Sequence, residues 1–265
     1  MALPISIEAL IKQQIVENTR LDYKRDWNPE DIIHSICAFA NDIENLGGGY
    51  IILGIEERNG IPSPDSPGIK KEDIDTIQKN LLNICNLITP RYIPVAEPAE
   101  FNGKTILIIW IYGGYQRPYK CPISLSKENN KGQSAYYIRK LSSTIQANPT
   151  ETKELFALSE TIPFDDRMNQ SAEITDLRRG LISNFLQTVN SDLYEDSFTL
   201  PLSTLGNNLR IIGGPAECIK PLNVGLMFFH ERPDTFFRYA RIEVVDKPDD
   251  TGEGMTEKCF TGPLD

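Results

Sequence analysis

Eleven residues, Gly47-Gly48-Gly49-Tyr50-Ile51-Ile52-Leu53-Gly54-Ile55-Glu56-Glu57, constrain this chain more than any other stretch. A glycine turn leads into a short apolar run that is bounded by glycine and rich in β-branched residues. That pattern reads as a buried strand, not a helix. Gly54 interrupts the run, as glycine does where another backbone or a ligand comes close. Glu56 and Glu57 leave the strand where side chains can meet solvent.

The elements around it follow from local signals. Ser6 caps a short helix over Ile7–Val16. Leu21 and Tyr23 alternate with Asp22 and Lys24 on a short strand, so Asp22 and Lys24 share a face. Asn28 is an N-cap, Pro29 fits the first helical position, and Glu30 and Asp31 suit the positive helix end. Ile32, Ile33, Ile36, Cys37 and Ala40 form the apolar stripe of that helix, and His34 lies at or near its surface. A further helix spans Glu72–Leu87 and stops before Pro90. Asn102-Gly103 joins strands Ile93–Phe101 and Lys104–Tyr112 as a hairpin. Ala135–Lys140 is another strand, and Thr150 caps a helix to Leu158. Residues 161–172 read as a polar linker between a domain over 1–160 and a smaller α/β domain over 173–265. In the second domain Glu173–Val189 is helical, and Leu222–Phe229 and Ala240–Val245 read as buried strands. The tail from Lys247 shows no clear element. The fold class is α+β, a mixed sheet with flanking helices.

Charge narrows the function. The chain carries −10 overall, too acidic for a surface that is basic throughout. Yet residues 101–150 hold Lys104, Arg117, Lys120, Lys127, Lys131, Arg139 and Lys140 against Glu128 alone. That is a net of +6, leaving −16 for the remainder. Arg117, Lys120, Arg139 and Lys140 are the candidate phosphate contacts, with Tyr119 placed to stack on an unpaired base. A solvated lysine-rich loop region explains the same excess equally well. The five cysteines are scattered without a C-x-x-C, so neither a zinc site nor a disulfide framework is expected, and a cytoplasmic home is. No apolar run reaches the roughly 20 residues that span a bilayer. No P-loop is present, and the glycines precede their strand, so they form no dinucleotide fingerprint.

Glu17, Asp22, Lys24, Glu56 and Glu57 form a second candidate set. Acids from separate segments can share Mg²⁺ or Mn²⁺, and a lysine beside them can hold a scissile phosphate. Surface ion pairs such as Asp22–Lys24 or Glu17–Arg20 account for the same residues.

Five separated motifs occur in a fixed order: Glu17-x4-Asp22-Tyr23-Lys24, Ala38-Phe39-Ala40-Asn41, Gly48 to Glu57, Pro90, and Tyr136-Tyr137-Ile138-Arg139. Together, over about residues 15–150, they resemble the Schlafen AlbA-type domain, once described as a divergent AAA ATPase domain. Residues 170–265 look like the segment that follows it in bacterial transcriptional regulators, which continue into a winged-helix region. The resemblance implies nucleic-acid binding, to DNA or RNA, and a homodimer is left open. It also implies a metal-dependent endoribonuclease as the alternative, with Glu17, Asp22 and Glu57 as catalytic and metal-binding acids and Lys24 beside them. A protein-interaction or dimerisation module is the third reading. Three departures stand out. Asp22 replaces the usual Glu, Glu57 replaces the usual Asp, and Asp42–Leu46 is inserted before the glycines. Each acid exchange changes reach by a methylene.

Overall fold

Asn28 starts the helix around which the first half of the protein is assembled. In the computed structural model, which describes residues 3–6, 8–12, 18–58, 61–126, 132–246 and 255–263, its side chain accepts from the backbone N–H of Glu30 and Asp31. Helix α1 then runs Pro29–Asn41 and closes on Asp42 in the left-handed conformation. The chain divides into two units, residues 1–161 and 162–265.

In the first unit β1 is Leu21–Lys24, and after α1 the strand β2 is Gly49–Leu53. The short strands β3 (Glu57–Arg58) and β4 (Ile61–Pro62) pair with each other. Helix α2 spans Ile74–Cys85, followed by β5 (Val95–Phe101) and β6 (Lys104–Ile111). Strands β7 (Lys120–Pro122), β8 (Ser134–Lys140) and β9 (Ser143–Gln146) precede helix α3 (Pro149–Thr161). One sheet has the order β1-β2-β6-β5, with β1 parallel to β2 and the other pairs antiparallel. A second sheet is β7-β8-β9.

Helix α1 packs against residues of both sheets. Ile32, Ile36 and Phe39 join Ile51, Leu107 and Ile109 in one core, and the same core takes in Tyr119, Cys121 and Tyr137. A helix covered on two sides needs more than one apolar stripe. Ser35, Ala38, Phe39 and Asn41 are accordingly buried as well. His34 stacks on Tyr137 with ring centroids 4.0 Å apart, and its Nε2 lies 3.0 Å from the Pro122 carbonyl oxygen.

The glycines serve packing. A Cβ on Gly48, at φ +78°, would strike the Ile111 carbonyl oxygen, and one on Gly49 would strike the Phe39 ring. Gly54, at φ +96°, lies against the backbone of Gly68 and accepts a hydrogen bond from its N–H at 3.0 Å. The close approach expected at Gly54 is therefore to another backbone. Asn102 and Gly103, both at positive φ, make the β5–β6 turn.

Several boundaries differ from expectation. Ser6 Oγ accepts from Ala9 N–H above a π-helical turn, Glu8–Lys12; residues 13–17 lie outside the described residues. The cap of α3 is Asn148, which accepts from Thr150 and Glu151, so Thr150 is the second residue of the helix and not its cap. Residues 161–172 are not a free tether. Asn169 N–H donates to Pro221, Arg167 accepts from Asn223, Asp165 accepts from Val224, and Ala172 is fully buried. The division between units falls after the first residue of this segment, between Thr161 and Ile162.

The second unit contains α4 (Arg179–Thr188), α5 (Asp196–Thr199), α6 (Leu202–Asn208), β10 (Ile212–Gly213), β11 (Lys220–Pro221) and α7 (Asn223–Phe229). Strands β12 (Arg241–Asp246) and β13 (Thr256–Thr261) form a separate exposed ladder. The strand expected at Leu222–Phe229 is thus a helix. Periodicity cannot separate the two for so short an apolar run. The helix sends Leu226 and Phe229, three residues apart, into the core, while Gly225 admits the Ile211 carbonyl. The strand at 241–246 is exposed, not buried, and the tail contributes β13.

Asn41 ties the first unit together. Its Nδ2 donates to the carbonyls of Tyr119 at 2.9 Å and Tyr137 at 2.8 Å, and its Oδ1 accepts from Tyr119 N–H at 2.6 Å. The residue is 0% exposed. Asn41→Ala should destabilise the protein by about 2–5 kcal/mol, because the Tyr137 carbonyl and the Tyr119 N–H lose this partner and the Tyr119 carbonyl is left with the weak Cys37 thiol donor. Asn41→Asp keeps the shape and the acceptor but loses both donors, and it sets a carboxylate against two carbonyls. It should be at least as damaging in urea titrations. Residues 1–161 expressed alone should melt cooperatively in circular dichroism.

Candidate functional site

Strand β1 places Asp22 beside β2, opposite Ile51, with Lys24 two residues on along the same face. The carboxylate is surrounded. Ser35 Oγ, from α1, donates to Oδ2 at 2.6 Å. Lys24 Nζ lies 3.3 Å from Oδ1, and Arg139 Nη1 lies 3.6 Å from Oδ2. The expected Asp22–Lys24 pair is present and is extended by a second cation from β8.

Arg139 is the more deeply set partner, its side chain 10% exposed. Nη1 donates to Thr144 Oγ1 at 3.0 Å and Nη2 to the Leu21 carbonyl at 3.1 Å. Its guanidinium lies 4.9 Å from the Phe39 ring centroid, within cation–π range. One side chain thereby links β1, α1 and β9. Burial pulls its pKa below the ordinary value, and Asp22 and then Glu57 act against that pull.

Glu57 follows β2 and opens β3 as an exposed residue. Its charge reaches Arg139 and also Tyr23, whose phenol is pushed up to about 12 by burial, with Glu57 adding to the shift. Two of the three expected acids, Asp22 and Glu57, therefore act on one guanidinium, with Lys24 adjacent. Glu17 lies outside the described residues. Glu56 pairs with Arg58 at 3.7 Å.

The basic loop is used differently from expectation. Arg117 is 7% exposed. Its guanidinium donates to the carbonyls of Asn41 at 3.3 Å and Asp42 at 2.9 Å and to Asn45 Oδ1 at 2.9 Å. It therefore caps the end of α1, where unpaired carbonyls and the helix dipole favour a cation. Tyr119 is 3% exposed and packs edge-on against Tyr92, so it offers no face to a base. The expectation that these two residues meet nucleic acid is corrected on that ground, and Arg139 likewise faces inward. Lys120 is exposed on β7, and Lys140 is half-exposed with Glu151 at 3.8 Å. Lys127 and Lys131 lie outside the described residues.

Sequence reasoning assigned no role to Ser35 or Thr144, whose hydroxyls lie 3.3 Å apart beside Asp22 and Arg139. A serine inside an otherwise apolar helix stretch was the available signal. Asn41 closes the Ala38-Phe39-Ala40-Asn41 motif, but spacing gives no hint of what it bonds.

A divalent cation would have to displace Lys24 and Arg139 from Asp22. Among the described residues, no group of three His, Cys, Asp or Glu side chains could hold one. The described residues thus do not fit a metal centre.

Residues 17–148 match the family described as "Schlafen, AlbA_2". No protein of curated function matches the chain. Two solved structures are similar at low identity. The DIP2311 protein from Corynebacterium diphtheriae aligns at 16% identity and a TM-score of 0.37, covering 80% of this chain and 36% of its own. The N-terminal domain of a RecG-related protein from Nitrosomonas europaea aligns at 20% identity and a TM-score of 0.35, covering 52% of this chain and 88% of its own. This chain thus spans 36% of the length of the first. Superpositions this loose carry no functional argument.

The Tyr23 phenol gives a direct test of the cluster. Its hydroxyl is buried without a hydrogen-bond partner among the described residues. The folded state holds its proton more tightly than the unfolded chain does. Its contribution to stability is therefore full below about pH 10 and lost as pH rises through about 12. Tyr23→Phe should remove one phenol titrating near pH 12 in ultraviolet absorbance. Glu57→Gln should lower that pKa, and an unmoved titration would separate Glu57 from Tyr23.

Proposed function

Because residues 17–148 belong to the Schlafen AlbA_2 family, we propose that this unit binds nucleic acid and serves a cytoplasmic regulatory protein. The observation that carries the reading is a coincidence of place. The family match contains nearly all of the segment whose net charge is +6, in a chain of −10. With Arg117, Tyr119 and Arg139 committed to the interior, the contacts pass to Lys120 and Lys140. Such lysines act as point charges on phosphate and release counterions on binding. Among the described residues no helix is long and apolar enough to cross a membrane.

A second reading, a metal-dependent ribonuclease, draws only on the likeness of Asp22, Lys24 and Glu57 to the acidic set of the family. The described residues hold no three-ligand group, so no step is routed through a metal. In this reading Mn²⁺ supports cleavage of folded RNA by the protein and not by Glu57→Gln. Intact RNA with both proteins would remove it. Dimerisation is a third proposal, read by sedimentation.

The binding reading is tested by Lys120→Glu/Lys140→Glu measured against duplex DNA and stem-loop RNA over a salt series. The double variant should keep its melting temperature, bind at least about tenfold more weakly and show a shallower salt slope. Unchanged affinity and slope would remove both lysines from the interface. Arg117→Glu should instead lose the fold, because it sets a carboxylate against the carbonyls at the end of α1.

A further inference from the structure

The tip of the β8–β9 hairpin is built against the usual preferences of a turn. Lys140 pairs with Ser143, which leaves a two-residue connection, Leu141-Ser142. Leu141 has φ +53°, a conformation that glycine or asparagine adopts readily and a branched side chain adopts at a cost. The same side chain is 79% exposed, so folding gains nothing by burying it. The base of the hairpin is held firmly. Arg139, two residues before the tip, is fixed by Leu21, Thr144 and Phe39. Leu46, 36% exposed, lines the same cleft as Leu141, with Arg20, Gly48 and Arg139 deeper in it. This tip lies in the most basic segment of an acidic chain.

We propose that Leu141 is an apolar wedge that inserts between neighbouring bases of bound nucleic acid. The proposal rests on the binding reading above and adds how that surface engages its ligand. Apolar side chains, leucine among them, unstack base steps in this way, and flanking cations hold the phosphates. Lys140 stands next to the wedge in the chain with Glu151 at 3.8 Å, so a phosphate there takes the place of Glu151 as its partner, and Ser142 and Ser143 supply hydroxyl groups beside it. Glu44 also lines the cleft and is exposed. Its charge keeps phosphate away, so the backbone runs on the Lys140 side and the bases face Leu141 and Leu46.

Leu141→Gly separates the wedge from the fold. Glycine accepts φ +53° freely, so the variant should melt at the same temperature or higher. Binding is read by anisotropy and by the fluorescence of 2-aminopurine placed in duplex DNA and in stem-loop RNA. The natural protein should raise the fluorescence at saturation. Leu141→Gly should bind about tenfold more weakly and leave the fluorescence at the level of the free probe. Leu141→Phe should retain the rise. If Leu141→Gly matches the natural protein in both readouts, the wedge is overturned while the binding reading stands. If the natural protein binds neither probe, both fall. Self-association abolished by Leu141→Gly would put a second copy on the tip and overturn the wedge.

Discussion

The buried amide of Asn41 is the contact on which the first unit depends. It closes the last turn of α1 onto two backbones, at Tyr119 and Tyr137, that belong to neither α1 nor the first sheet. Amide groups buried without partners are costly, and here each donor and the acceptor of the side chain meets a backbone group, the Tyr119 carbonyl being shared with the Cys37 thiol. With the 117–121 segment held in this way, Arg117 lies under the end of α1 and Gly114 N–H reaches the Ala40 carbonyl. The inserted residues 42–46 join the same arrangement. Asp42 accepts from Leu46 and Gly47, and Asn45 receives Arg117.

The same logic governs Asp22 and Arg139. A charge this far from water persists only when paired and hydrogen-bonded. Ser35, Thr144, Phe39 and the Leu21 carbonyl complete the environment of the pair. Such clusters specify which strand lies against which helix more than they add stability. The consequence for function is a division of labour among the basic residues. Those beside α1 are structural, while Lys120 and Lys140 lie toward solvent. The excess of +6 therefore overstates the charge a ligand would meet.

The second unit rests on a separate apolar core of Leu177, Ile182, Leu205, Leu226 and Phe229. Lys220, 7% exposed, forms a close ion pair with Glu173 at its edge. Residues 164–172 belong to this unit by their hydrogen bonds, although their composition is that of a loop. Polarity alone cannot tell a tether from a segment whose backbone pairs with another.

The sequence by itself determined the elements whose signals are local. Asn28 and Pro29 started α1, Asn102-Gly103 made the β5–β6 turn, and the apolar run after Gly49 became β2, because caps, φ preferences and side-chain period act over a few residues. Side-chain alternation also put Asp22 and Lys24 on one face. Tertiary structure decided the rest. Whether Leu222–Phe229 became helix or strand depended on a core assembled from distant segments. Whether Arg117, Tyr119 and Arg139 faced solvent depended on α1 packing against residues of both sheets. Charge and residue type are local properties, whereas burial and pairing belong to the assembled fold.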